Sequence, residues 1–377
     1  MKEERTRVHQ LALSMLKGIG PVNARNLVAY CGGVDALFSD RSIRKKLELV
    51  PGIGPRHLAT ILDRGVLKAA EKEWNLVQRN GVRMVFYLDP DYPYRLRQAP
   101  DAPVVLFADG KASLDPARAV AIVGTRAPTE QGKHLCEELV EGLADSGATI
   151  ISGLAYGIDI IAHRTALRVG LPTIAVVAHG LDRVYPGEHR ATAREMVRSN
   201  GAVASELPHG SPFAPGNFPA RNRIIAGLCD CTIVVESGPK GGSLITAEIA
   251  NGYDREVMAF PGRPSDPRSE GCNRLVQRDQ AYLVTDARDV LDRMDWLPKT
   301  GRRKATQMPL FSDLLPDEQV LVDILREHGR TDIDELCLKS RMPQGKAASL
   351  LLNMEFNGVV RALPGKCYAL NGPGGRP

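Results

Sequence analysis

A doubly wound α/β fold with a mostly parallel sheet is predicted for the central part of this 377-residue chain. Three observations predict it: six short β-branched runs, amphipathic stretches between them, and small-residue turns where the runs end. The runs are AVAIVG (119–124), ATIISG (148–153), TIAVVA (173–178), AVASEL (202–207), CTIVVES (231–237) and REVMAF (255–260). Their near-continuous apolar character marks strands covered on both faces, which requires helices above and below the sheet. Gly132 to Ala144 and Ser243 to Tyr253 supply two of those helices. The assignment places a Rossmann-like domain at residues 71–297, with its core at 85–293.

Two similar segments open the chain, LKGIGPVNARNL (Leu16 to Leu27) and LVPGIGPRHLATIL (Leu49 to Leu62). Each reads as a helix, a Gly-Ile-Gly-Pro turn and a second helix. The glycines admit positive φ, and proline presets the first turn of the following helix. The spacing resembles the helix-hairpin-helix, whose turn amides cap a DNA phosphate. An αα-corner using the same turn chemistry for packing alone is the competing reading. Residues 1–70 are thus expected to form a small helical domain of helix-hairpin-helix or SAM-like type. Twelve Lys and Arg against six Asp and Glu in this span give an excess that alone accounts for the net charge of +5 and favours an anionic partner.

Residues 298–313 (PKTGRRKATQMPLFSD) are basic, contain Pro and Gly and lack periodicity, so they read as a linker. Beyond it, PDEQVLVDILREHG, DIDELCLKSR and PQGKAASLLLNMEFNG form three helical segments, and VVRALPGKCYAL turns back at Pro364-Gly365 as a hairpin. Three helices and a β-wing make residues 314–371 a winged-helix domain. Its candidate recognition helix, Gln344 to Asn357, carries no charges besides Lys346 and Glu355. That poorly suits major-groove reading of a duplex, so a protein contact or a packing role is at least as good a reading.

Composition narrows the class. Hydrophobic residues at 43% and charged residues at 25% match folded globular proteins and exclude fibrous or disordered chains. The charged start MKEERTRVHQ lacks the apolar centre of a signal peptide, and no apolar run approaches the ~20 residues of a membrane span. A cytoplasmic location without membrane contact is expected. Seven scattered cysteines with no CxxC pair imply reduced, mostly buried thiols and no zinc site.

In an open parallel sheet, ligands bind outside the carboxyl ends of the strands. There the chain places Gly124-Thr125-Arg126, Ser152-Gly153 with Tyr156 beyond it, and Gly241-Gly242-Ser243 with Thr246. Such turns expose backbone amides at helix N-termini, as bound phosphate oxygens require, and Arg126 adds a fork-shaped cation. Asn217-Phe218-Pro219-Ala220-Arg221-Asn222-Arg223 contributes two guanidiniums, two amides and an aromatic face. Arginines suit phosphates, and a base stacked on Phe218 would gain ~1–3 kcal/mol. Core packing for Phe218 and surface ion pairing for Arg221 and Arg223 compete with this reading.

Several enzyme classes are disfavoured. GTRAPTEQG lacks the GxGxxG of dinucleotide binding, and GPKGGSLIT carries its lysine before the glycine pair, unlike a P-loop. Asp159 and His163 share a helix face, and His179, Glu206 and Glu248 fall near the sheet's carboxyl edge. Helix capping and surface pairing account for them better than acid–base chemistry does. No GxSxG, HExxH or metal-binding carboxylate cluster appears, so no catalytic residue, metal or cofactor is expected.

A set of motifs resembles a known family. VGTR (Val123 to Arg126), SGLAYGID (Ser152 to Asp159) with Ala162-His163, YPGEH (Tyr185 to His189), Ser205-Glu206, NFPARNRIIAGL (Asn217 to Leu228), GGSLITA (Gly241 to Ala247), Pro261-Gly262 and GCNRLV (Gly271 to Val276) are similar to those of the DNA-processing protein A family, DprA, also called Smf. The resemblance spans roughly residues 85–293, and the flanking domains look like that family's variable ones. It implies a bacterial cytoplasmic protein that binds incoming single-stranded DNA during natural transformation, does not hydrolyse it, and loads the recombinase RecA on it. It also implies a homodimer formed through the Rossmann-like domain. Carried over by motif, Gly124, Thr125 and Arg126 would hold a phosphate, Arg221, Asn222 and Arg223 would line the same pocket, and Gly241 to Thr246 would supply amides and hydroxyls. Tyr156 stands where many members have Lys or Arg in SGLA-x-GID, which removes a cation.

Two rival readings remain. One is a phosphoribohydrolase-like enzyme acting on a nucleotide in the same crevice, its PGGxGTxxE signature approximated by GPKGGSLITAE ending at Glu248. The other is an adaptor working through the winged-helix tail and a dimer surface.

Overall fold

The computed structural model describes residues 2–40, 43–297 and 314–371. The expected linker at 298–313 lies outside the described residues. Nine strands form one sheet: β1 (Arg83–Phe86), β2 (Val105–Gly110), β3 (Ala119–Val123), β4 (Thr149–Ser152), β5 (Thr173–Val176), β6 (Ala202–Ser205), β7 (Cys231–Val234), β8 (Glu256–Ala259) and β9 (Tyr282–Leu283). Their order is β1-β2-β6-β5-β4-β3-β7-β8-β9. The six predicted runs are β3 to β8, all paired in parallel, with registers such as Val120↔Ile150 and Val120↔Cys231. β1 and β2 add an antiparallel edge, joined to β6 through Phe107↔Ser205, and β9 closes the other edge.

Alternation along each central strand explains the double covering. Ala119, Ala121 and Val123 face one layer with Ile224, Ile225 and Ala247, while Val120 and Ile122 face the other with Leu139, Val140 and Ala162. Both layers are predominantly apolar, so the runs read as continuous rather than alternating.

The path of the chain sets where a ligand can enter. From β3 it winds outward through β4, β5 and β6, and the helix Asn217–Leu228 then carries it back across to β7, on the opposite side of β3. The direction of winding therefore reverses between β3 and β7. Connecting segments diverge there and leave a crevice at the carboxyl ends.

The N-terminal segment is helical, with Lys2–Ser14, Pro21–Cys31, Val34–Ser39, Ile43–Leu47, Pro55–Leu62 and Gly65–Arg79. Both Gly-Ile-Gly-Pro turns behave as their chemistry demands: Gly18 and Gly52 take φ of 77° and 81°, and Pro21 and Pro55 open the next helices. The helix Gly65–Arg79 runs straight through position 70, where the sequence suggests a joint. The reason is shared packing: Leu27, Leu37 and Ile61 pack in one cluster with Val77, Phe86, Val105 and Phe107. The helical layer is thus built onto the antiparallel edge of the sheet.

Three helices, Pro316–His328, Ile333–Ser340 and Gln344–Phe356, and a small sheet complete the described residues. The sheet holds β10 (Thr331–Asp332), β11 (Val360–Leu363) and β12 (Cys367–Leu370) in the order β10-β12-β11. This is the expected winged helix, with β10 as a third strand beside the hairpin. All seven cysteines are free and six are buried. Among the described residues no helix is long and apolar enough to cross a membrane.

Candidate functional site

A cleft of about 520 Å³ opens at the winding reversal. Its walls are the turn after β3, the turn after β7 and the start of the helix Asn217–Leu228. Of the residues singled out in the sequence, Gly124, Thr125, Arg126, Phe218, Arg221, Asn222, Gly241, Gly242, Ser243 and Thr246 line it. Gly153 and Tyr156 line a smaller recess beside it. Ser152 and Arg223 line neither.

The β3 turn is stitched in place by its own backbone. The Thr125 amide donates to the Glu236 carbonyl at 2.7 Å, and the Ile158 amide donates to the Thr125 carbonyl at 3.2 Å. This crossing demands glycine at 157, which takes φ of 78° and where a Cβ would lie 2.2 Å from the Thr125 oxygen. The Thr125 amide is consequently committed to the fold rather than offered to a phosphate. Arg126, the next residue, is exposed, and its Cζ lies 5.6 Å from the centroid of Phe218. Among the described residues it has no ion-pair partner.

Arg221 takes a different part from the one the sequence suggests. It is 5% exposed, its Nη1 donates to the Gly153 carbonyl at 2.7 Å and to the Val176 carbonyl, and its Nε donates to Asn222 Oδ1 at 3.2 Å. It thereby ties the crossover helix to the ends of β4 and β5. Burial pulls its pKa down to about 10, Asp159 opposes that and Arg126 adds to it, so it stays cationic at neutral pH. Asp159, itself buried, accepts from the Gly153 and Ala155 amides at 3.1 and 3.4 Å. Burial raises its pKa against the lowering effects of Arg221 and those amides. Arg221 and Asp159 form a buried polar floor rather than a mobile clasp.

The expectation that Arg223 shares this pocket is corrected. Its Nη2 donates to Glu206 and its Nη1 to the Asp101 carbonyl, away from the cleft. Two residues along a helix are separated by about 200°, so Arg221 and Arg223 must leave opposite sides of it. Ser152 is corrected likewise: it is fully buried, and its hydroxyl donates to the Ile122 carbonyl at 2.7 Å, linking β4 to β3.

The third wall offers amides. The helix Gly242–Gly252 starts at the cleft with no side-chain cap. The first amides of a helix have no partner within it, and they carry its positive dipole end. Ser243 does not cap them, because its hydroxyl donates to Ser237 Oγ at 2.8 Å.

Two aromatic rings that sequence reasoning missed, Tyr185 and Phe213, join the expected Phe218 to complete the rim. Tyr185, Phe213 and Phe218 meet edge to face, with centroids 4.8 Å apart for Tyr185–Phe213 and 5.3 Å for Phe213–Phe218. Tyr185 and Phe213 are 46% and 47% exposed. Phe218 is half-buried beside them, at the lip rather than in the core. The available signal was an aromatic residue inside each of two Pro- and Gly-rich loops, YPGEH and HGSPFAPG. Tyr156 turns aside, donating to Glu188 Oε2 at 3.0 Å and packing on His189.

The acid–base candidates are spoken for. His163 is fully buried with Nδ1 2.7 Å from Thr173 Oγ1, and burial drives its pKa down to about 3. Glu206 is held by Arg223, and His179 Nε2 accepts from the Tyr185 amide at 3.2 Å. Glu248, on which the nucleotide-hydrolase alternative rests, is exposed and outside the cleft lining. Among the described residues no group of three or more His, Cys, Asp or Glu is placed to hold a metal.

Fold and site together define a doubly wound α/β protein whose switch-point cleft gathers helix amides, an exposed guanidinium and aromatic rings. The chain belongs to the DNA recombination-mediator protein A family, whose model matches residues 83–295, and the DprA winged helix domain matches 306–366. It is 33% identical over 393 residues to protein Smf of Synechocystis sp., covering 95% of this chain and 97% of that one. The X-ray structure of DNA processing protein A from Streptococcus pneumoniae aligns with a TM-score of 0.65 at 35% identity, over 76% of this chain and 97% of that chain. A structure describing the single-stranded DNA binding mode of DNA processing protein A from Helicobacter pylori aligns with a TM-score of 0.51 at 30% identity, over 56% and 94%.

Proposed function

We propose that this chain binds single-stranded DNA at the switch-point cleft without cleaving it and delivers the strand to a RecA-type recombinase. In this reading it works in the cytoplasm as a homodimer joined through the Rossmann-like body. The observation that carries the proposal is Arg126, exposed over Phe218 and facing the uncapped start of the helix Gly242–Gly252 across one cleft. One phosphate meets the guanidinium, another meets the Gly242 and Ser243 amides, and bases lie on the rings of Phe218, Phe213 and Tyr185. Arg221 contributes field from below without moving. Membership of the family and the likeness to the Helicobacter pylori protein support the choice of ligand.

Flexibility of the ligand follows from the geometry. Stacked bases in a duplex hide their faces, whereas a single strand can turn them onto the rim. The test is binding of labelled single- and double-stranded oligonucleotides of equal length across a salt titration, followed by recombinase assembly on the bound strand. Preference for the single strand, recovery of the strand intact and faster assembly are expected. Strand cleavage, or equal affinity for both forms at this cleft, would overturn the reading.

A further inference from the structure

We propose that the edge of the winged-helix domain carrying Arg330, Arg361 and Lys366 binds the phosphate backbone of duplex DNA, and that aspartates of the Rossmann-like body mask it. The proposal concerns a different surface from the cleft and does not rest on the single-strand reading.

Each of the three cations meets one aspartate of the body. Lys366 Nζ lies 2.8 Å from Asp254, Arg361 Nη1 lies 3.4 Å from Asp295, and Arg330 Nη1 lies 3.5 Å from Asp230. Asp230 needs no such partner, since Arg95 already donates to both of its oxygens at 2.7 and 2.8 Å. Arg330, whose Nη2 donates to the Pro364 carbonyl at 3.1 Å within its own domain, brings a second cation to that aspartate. Carboxylates spaced along the body occupy the places that backbone phosphates would take.

The docking is polar and not a shared core: beside the ion pairs, the Tyr94 hydroxyl donates to Asp332 Oδ2 at 2.8 Å. The winged-helix domain closes its own cluster around Leu321, Leu325, Leu336, Leu351 and Met354. Where it faces the body, open grooves of about 1010 and 740 Å³ remain. Two of the three pairs are exposed, Lys366–Asp254 and Arg361–Asp295, so salt screens them and another anion can replace them. Arg330 Nε and Arg361 Nε are buried with no acceptor. Phosphate oxygens would satisfy those donors.

A duplex fits this edge better than a single strand does. The edge is a β-hairpin with its turn at Pro364-Gly365, the element with which winged helices touch a duplex backbone. Its ring, Tyr368, is half-buried against the winged-helix core, so no stacking platform accompanies the cations. The weakly charged helix Gln344–Phe356 adds no base reading, which makes the contact one of shape and charge.

The test uses the full chain and the variant D254N/D295N. Both aspartates hold positive φ, 54° and 53°, which asparagine tolerates, so the charges go while the backbone stays. At ~0.15 M salt, anisotropy with a short duplex is expected to show at least about threefold tighter binding, and solution scattering a larger radius of gyration. Adding R361A/K366A should abolish the gain. A second variant, R361E/K366E in the native background, is expected to weaken duplex binding at least about threefold. Unchanged duplex affinity in D254N/D295N, a gain that survives R361A/K366A, or no loss in R361E/K366E overturns the proposal. An equal gain for a single strand of the same length overturns its assignment to duplex DNA.

Discussion

The Arg221 guanidinium occupies the space a side chain on Gly153 would need: a Cβ there would lie 2.4 Å from Nη1 and 2.6 Å from Cζ. Arg221 cannot yield, because Nη1 is bound to the Gly153 and Val176 carbonyls. Gly153→Ala is therefore expected to destabilise the fold by ~1–3 kcal/mol, lowering Tm by roughly 2–4 °C for each kcal/mol. Calorimetric melting checks this, and an unchanged Tm would show that the guanidinium is free to move.

Arg126 is exposed, so its removal should leave Tm unaltered while weakening DNA binding. Losing one phosphate contact to a single strand makes the slope of log K against log salt shallower by about 0.7. Arg126→Ala should show that change with oligonucleotides of any sequence. A slope identical to that of the parent chain removes Arg126 from the contact.

Phe213 and Tyr185 act through stacking, which salt does not screen. Phe213→Ala and Tyr185→Ala are each expected to cost ~1–3 kcal/mol of single-strand affinity with the salt slope preserved. Binding measured at low and high salt separates this pattern from that of Arg126→Ala.

Arg223 and Glu206 form a partly buried pair, 13% and 20% exposed, on the side of the helix away from the cleft. Arg223→Ala strands the Glu206 carboxylate, for an expected loss of ~1–3 kcal/mol of stability. Its DNA salt slope should match the parent's. Adding Glu206→Gln should restore part of the Tm, since the stranded charge is then gone.

His163 predicts an acid limb in the stability profile. Its folded pKa of about 3 lies below the ordinary 6.5, so the unfolded chain takes up the proton first as pH falls. Its contribution is complete above pH 6.5 and is lost between about 6.5 and 3, at about 1.4 kcal/mol per pH unit. Denaturant melts from pH 7 to 4 should show a shallower decline for a folded His163→Gln variant. An equal decline would place the acid sensitivity elsewhere.

Much of this architecture was legible because it follows from local chemistry. β3 to β8 are continuous apolar runs, and the Gly-Ile-Gly-Pro turns are set by positive φ at Gly18 and Gly52 and by Pro21 and Pro55. β1 and β9 escaped notice because edge strands need no apolar run on both faces, and β9 is only two residues long. β2 lies between β1 and β6, and its buried run Val105 to Ala108 was a readable signal that went unassigned.

The sequence by itself determined which loops reach the carboxyl edge and which residue types they bring there. Only the tertiary structure decided their roles. Arg221, Arg223 and Ser152 sit in motifs beside residues of the cleft, yet one became its floor, one left by the far side of the helix, and one joined two strands. Tyr185 and Phe213 are distant in the chain and meet only because separate loops converge. Proximity along a chain fixes reach, whereas direction depends on helical rotation and on which buried donor must find an acceptor.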